Sequence, residues 1–163
     1  MIEYMSGLPA PRFLGFLFLL VLVPAGVISA SADQRPSADA GTRECAQMAE
    51  GYVAARLAVW QQRLKLQDWK ISVIMSHPSD LKPKTLGNIH WDADKKSAVI
   101  RVLHATDYQL GCHDVLDDME FTVVHELIHL ELSSLPRSDA SRRDEEFAVN
   151  QIADALLALD RRK

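Results

Sequence analysis

Positive charge in excess is missing from this chain. Eighteen lysines and arginines stand against 22 aspartates and glutamates, a formal charge of −4, and the basic residues are scattered rather than striped. Such a balance offers no electrostatic footprint for a nucleic-acid backbone, which excludes nucleic acid as the expected partner. Cysteine is almost absent too, with Cys45 and Cys112 the only two. In an oxidising compartment such a pair is more often a disulfide than two free thiols; in a reducing one it is two buried apolar side chains. Bridging them would close a long loop, worth about 4 kcal/mol in chain-entropy terms. There are no internal repeats, and 163 residues leave room for one domain only.

Long apolar runs are also lacking, with one exception. Phe13 to Val23 (FLGFLFLLVLV) follows Arg12 and precedes the helix-breaking Pro24 and Gly26 and the small residues Ser29-Ala30-Ser31-Ala32. This is the outline of a secretory signal peptide over 1–32, with cleavage expected before Asp33. The run is shorter than the ~20 residues needed to span a bilayer. The expectation is therefore an exported protein, periplasmic or secreted, with no stable membrane span; the alternative is an N-terminal membrane anchor.

What is present after that segment is ordinary globular patterning. Residues 33–43 (DQRPSADAGTR) are polar and small, and are expected to form a flexible leader to a domain over 44–163. Ala46, Ala49, Val53, Leu57, Trp60 and Leu64 recur at three- and four-residue steps, predicting an amphipathic helix to about Leu66. Trp69–Met75 alternates as a strand does, and Thr85–Trp91 and Ser97–Leu103 read as two strands joined by the polar turn Asp92-Ala93-Asp94-Lys95. A helix follows from about Asp114 to Leu132, and after Pro136 another from Asp139 to Asp160, with Phe147, Ile152, Leu156 and Leu159 as its expected core stripe. Helix, three strands, helix, helix is an α+β order.

Chemistry concentrates in His125-Glu126-Leu127-Ile128-His129. On a helix the two histidines share a face with Cβ atoms ~5–6 Å apart, near enough to bind one zinc ion at about 2.0–2.1 Å. Glu126 projects about 100° round from His125. It flanks such an ion without ligating it, placed as a general base that takes a proton from water acidified by the metal and passes it to a leaving amine. The bland reading is a pair of hydrogen-bonded core histidines beside a solvated glutamate. Two polar rings on one face of so apolar a helix need partners, however, and a metal supplies them.

A third ligand must come from elsewhere. The last helix carries Asp144-Glu145-Glu146 some sixteen residues downstream, a triplet that otherwise reads as a solvated first turn favoured by the helix dipole. HExxH followed by a helix with Glu-x-x-x-Asn resembles the gluzincin clan of zinc metallopeptidases, and the Phe121–Leu157 region is similar to its compact single-domain members. The resemblance implies a zincin-like fold: N-terminal helix, small three-stranded sheet, zinc-binding helix and C-terminal third-ligand helix. It implies one zinc per chain, a peptide or protein substrate, Glu146 as third ligand and Asn150 as the residue supporting a ligand histidine. Glu145 stays open as a rival ligand; on a helix in the gluzincin phase it would point about 100° away, towards solvent or the loop at Pro136. Tyr108, His104 and His113, in the segment entering the zinc helix, are candidates to steady an oxyanion, and His77 and His90 carry less weight. Either Thr85–Trp91 or Ser97–Leu103 is expected to border the cleft and pair with extended substrate. A non-catalytic zinc protein that binds a partner is the alternative function, and a metal-free anchored interaction module a third.

Overall fold

The computed structural model describes residues 38–136 and 138–162, so the expected signal peptide and residues 33–37 of the expected leader lie outside the described residues. Among these, three helices and a three-stranded mixed sheet make an α+β fold. The elements are α1 (Ala38–Arg63), β1 (Lys70–Ser76), β2 (Gly87–Asp92), β3 (Ser97–Leu103), α2 (Cys112–Glu131) and α3 (Asp139–Asp160), with 3-10 turns at Pro78–Asp80, Ala105–Asp107 and Leu132–Ser134. No helix of the described residues is long and apolar enough to cross a membrane.

α1 begins at Ala38, inside the segment expected to be a flexible leader. Once a helix is nucleated each further residue adds a hydrogen bond, so the small polar residues before Glu44 join the helix without an apolar period of their own. Its inward row, Cys45, Ala49, Val53, Leu57 and Trp60, is buried, as three-and-four spacing dictates. Lys65 ends it in the left-handed region, φ 57°. The amide of Leu66 donates to Gln61 O (2.9 Å) and that of Lys65 to Gln62 O (3.2 Å), satisfying carbonyls the helix leaves open.

β3 occupies the centre of the sheet, parallel to β1 and antiparallel to β2. Ala98, Ile100 and Val102 of β3 are buried, the alternate residues that a pleated strand sends to one face. The β2–β3 turn closes with the Asp92 carboxylate accepting the Lys95 amide at 3.0 Å and Lys96 at φ 47°, an Asx-type turn. α2 runs between α1, the sheet and α3, with Met119, Val123, Leu127 and Leu130 fully enclosed.

The core stripe of α3 differs from expectation. Phe147 (69% exposed), Ile152 and Leu159 face outward, whereas Val149, Ala153 and Leu157 are buried and Leu156 is half-buried. Val149, Ala153 and Leu157 stand four apart and so form one row on the packed face of α3, and the larger Phe147 and Ile152 fall outside that row. A capping box starts the helix: Ser138 Oγ accepts the Ser141 amide (3.1 Å) and Ser141 Oγ accepts the Ser138 amide (2.9 Å).

One buried charge ties the three helices together. Glu120, on α2, accepts from Tyr52 (2.8 Å), Trp60 Nε1 (2.7 Å) and Arg56 Nε (2.6 Å), all on α1. Arg56 and Arg63 then reach Asp160 at the end of α3, each at 2.7 Å. Burial alone would raise the Glu120 carboxyl, but the hydrogen bonds of Trp60, Arg56 and Tyr52 with the Arg56 charge outweigh it and hold the group below its ordinary value.

Candidate functional site

His125 and His129 lie one turn apart on α2, both rings largely buried and directed at α3. His125 Nδ1 stands 3.0 Å from Asn150 Oδ1, and His129 Nδ1 2.9 Å from Glu145 Oε1. Both partners accept only, so in the neutral rings the protons sit on Nδ1 and each Nε2 presents a lone pair. The two Nε2 atoms are 3.0 Å apart. The Glu146 carboxylate lies 3.4 Å from each of them.

Two imidazole lone pairs and a carboxylate so placed, with Glu146 Oε2 nearest His125 and Oε1 nearest His129, repel one another unless a cation lies among them, a proton or a metal ion. The nitrogens are 3.0 Å apart and each has a Glu146 oxygen at 3.4 Å, close to the roughly 3.3–3.4 Å between neighbouring ligands of a tetrahedral ion whose bonds are about 2.0–2.1 Å. His125, His129 and Glu146 could hold a single ion, and they form one of two such groups of potential ligands among the described residues. Burial, and then the neighbouring His129, push the His125 imidazole below its ordinary value, which keeps that ring available as a lone-pair donor.

Compared with family models, with characterised proteins and with solved structures, the chain matches none.

Glu145 is where the structure departs most from expectation. It turns inward to His129 rather than to solvent. Its side chain is 16% exposed and grips His129, while Glu146 is 58% exposed and open to the cleft. The reason is helix phase: residues 145, 149, 153 and 157 form one row four apart, and its last three members are the buried Val149, Ala153 and Leu157. Extending that row back one turn reaches Glu145. This was the signal in the sequence that could have placed it. Glu146 and Asn150 form the adjacent row, and the structure brings both to the histidines as the expected spacing implies.

The site opens into a cleft of about 590 Å³ walled by residues 82–89, α2 and α3. Glu126 lies at its floor, 7% exposed. Burial pushes its carboxyl up to about 7, with His129 and the Ile89 backbone pulling the other way. Gly87 makes this floor possible. A Cβ there would come within 2.4 Å of Thr122 Cγ2 and 2.7 Å of Arg101 O, and within 3.6 Å of Glu126 Oε1, so only glycine lets the start of β2 sit against α2.

Of the expected strands, β3 is hydrogen-bonded on both sides, whereas β2 is at the sheet edge and supplies Gly87–Ile89 to the cleft. The expected oxyanion candidates do not gather there. Tyr108 donates to Asp118 at 2.8 Å, His113 is exposed beside Asp114 and Asp117, and His104 sits with His77 and Asp107. His90 is on the exposed side of β2. Instead Lys82, Lys84 and Arg142 bring positive charge to the cleft wall. No periodicity in the sequence marked them, because they come from two segments that meet only in the fold. Cys45 and Cys112 are joined, with Cα atoms 5.6 Å apart.

Proposed function

We propose that this chain is a zinc-dependent peptidase with a zincin-like fold of the gluzincin type. His125, His129 and Glu146 would hold one zinc, with Glu126 as general base. The observation that carries the reading is the set of three converging donors, each histidine held by an acceptor on its far nitrogen. Asn150 and Glu145 fix tautomer and orientation, as supports of ligand histidines do.

Bound zinc supplies Lewis acidity, polarising a carbonyl oxygen and acidifying water. The protein's own part is to place substrate and to move protons. β2, the edge strand beside the cleft, suits the backbone of an extended peptide, which would add as a further strand. Glu126, desolvated and one residue from a ligand histidine, is placed to accept a proton from the attacking water and return it to the leaving amine. An exported location is supported by the Cys45–Cys112 bridge, since disulfides persist in oxidising compartments.

The purified protein is expected to retain one tightly held zinc in the cleft and to hydrolyse members of an unbiased peptide library. Glu126→Gln should keep the zinc and lower hydrolysis by at least about a hundredfold, whereas His129→Ala should lose the metal. Zinc retained without any hydrolysis would favour the partner-binding alternative, and a metal-free protein of unaltered stability would sink both.

A further inference from the structure

Two histidines that the cleft does not use meet at the C-terminal end of the parallel strand pair. β1 and β3 pair with Ser76 opposite Leu103, and the ladder continues one step as the His104 amide donates to Ser76 O at 2.8 Å. The next residues, His77 and His104, therefore stand side by side with ring centroids 5.1 Å apart. The 3-10 turn after β3 then carries Asp107 back to them, its Oδ2 2.7 Å from His77 Nδ1. One ligand atom from each of His77, His104 and Asp107 lies within 4.8 Å of the others.

We propose that His77, His104 and Asp107 form a second metal site, for a divalent late first-row cation of the zinc or copper class. Two imidazole nitrogens and a carboxylate oxygen suit those ions rather than magnesium or calcium, which take oxygen ligands. The His104 ring is already oriented by Thr106 on the same turn, whose amide donates to Nδ1 at 3.3 Å and whose Oγ1 stands 2.7 Å from it; binding an ion through Nε2 moves the ring proton to Nδ1, where Thr106 Oγ1 can accept it. His77, 61% exposed, has the freedom to turn its ring towards an ion. Three donors, from the residues that follow β1 and β3 and from the turn after β3, give the site geometry that a solvated ion pair lacks.

Its position suggests what it does. His77 opens the segment that runs through the Pro78–Asp80 turn to Lys82, Lys84 and Thr85, which wall the cleft. An ion held here clamps the root of that wall to the central strand. The site shares no residue with the cleft, so it stands or falls independently of the peptidase reading.

The test is calorimetric titration of metal-stripped full-length protein with Zn2+. Two ions per chain are expected for the parent, one for the His77→Ala/His104→Ala variant, and one for the His125→Ala/His129→Ala variant. Failure of the last pair to lose an ion would count against the cleft reading alone. An unchanged stoichiometry in His77→Ala/His104→Ala, with parental thermal unfolding in metal-free buffer, would overturn the second site. Should that variant not fold, Asp107→Asn, which keeps the side-chain shape, is expected to weaken the second ion at least tenfold; no weakening overturns the site. Cu2+ bound to His125→Ala/His129→Ala should also show two nitrogen donors by electron paramagnetic resonance, and a spectrum with none would overturn it.

Discussion

At the scale of single residues the site depends on what stands behind the ligands. Glu146 would touch the ion, but Glu145 and Asn150 decide where the two imidazoles point, each from under 3.1 Å. Removing such a support typically costs ten- to a hundredfold in metal affinity. Glu145→Ala and Asn150→Ala should therefore each weaken zinc binding by about that factor, and Glu146→Ala by more, measured by competition with a chromophoric chelator. A Glu145→Ala protein with parental affinity would show that the carboxylate is a bystander to His129. The HExxH signature is readable because the helix period converts a spacing into a shared face. Glu145 was not readable in the same way, since a triplet of acids shows no phase until the buried row Val149, Ala153 and Leu157 is known. Large residues misled there: Phe147 and Ile152 invited burial and lie outside.

At the scale of elements the site is set by how closely β2 meets α2, and Gly87 governs that approach. Adding one methyl forces it against Thr122 and the Arg101 carbonyl. The Thr122 methyl can shift only within a packed helix face, and the carbonyl belongs to the central strand. Gly87→Ala should thus cost about 1–3 kcal/mol by overpacking and reduce peptide hydrolysis while leaving zinc affinity near parental, because no ligand lies on β2. Chemical denaturation, zinc competition and peptide turnover measured together separate those effects; parental turnover would show the β2 approach to be unimportant. The strands themselves were legible from alternation and turn residues, β3 to the residue. Their order was not, because pairing of β1 with β3 rather than β2 leaves no trace in local pattern, and it is this order that puts β2 at the edge beside the cleft.

At the scale of the whole molecule two long-range links among the described residues, Glu120 and a disulfide, hold α2, which carries His125 and His129, to α1. Glu120 is one. Its carboxyl is held below the ordinary value, so its contribution is present above the unfolded-state pKa of about 4.3 and is lost as pH falls through the lower folded value. The stability difference between the parent and Glu120→Gln, on the order of 3 kcal/mol near neutrality for a disrupted buried ion pair, should shrink towards zero in acid; a difference constant from pH 7 to 2 would contradict it. The disulfide is the other link. Cys112 is the first residue of α2, and the bridge to Cys45 closes 67 positions of sequence. Its two cysteines were visible in the sequence, whereas Glu120 was hidden among the acids near the start of α2, which helix-dipole reasoning assigns to solvent. The bridge acts mainly by narrowing the unfolded ensemble, worth about 4 kcal/mol for a loop of this length, whereas the native contacts around it remain. Replacing both cysteines by alanine should therefore lower the unfolding midpoint by roughly 10–20 °C and yet leave the zinc affinity of the folded protein within about twofold, since no ligand moves. A large loss of zinc affinity in the folded variant would mean instead that the bridge shapes the native position of α2.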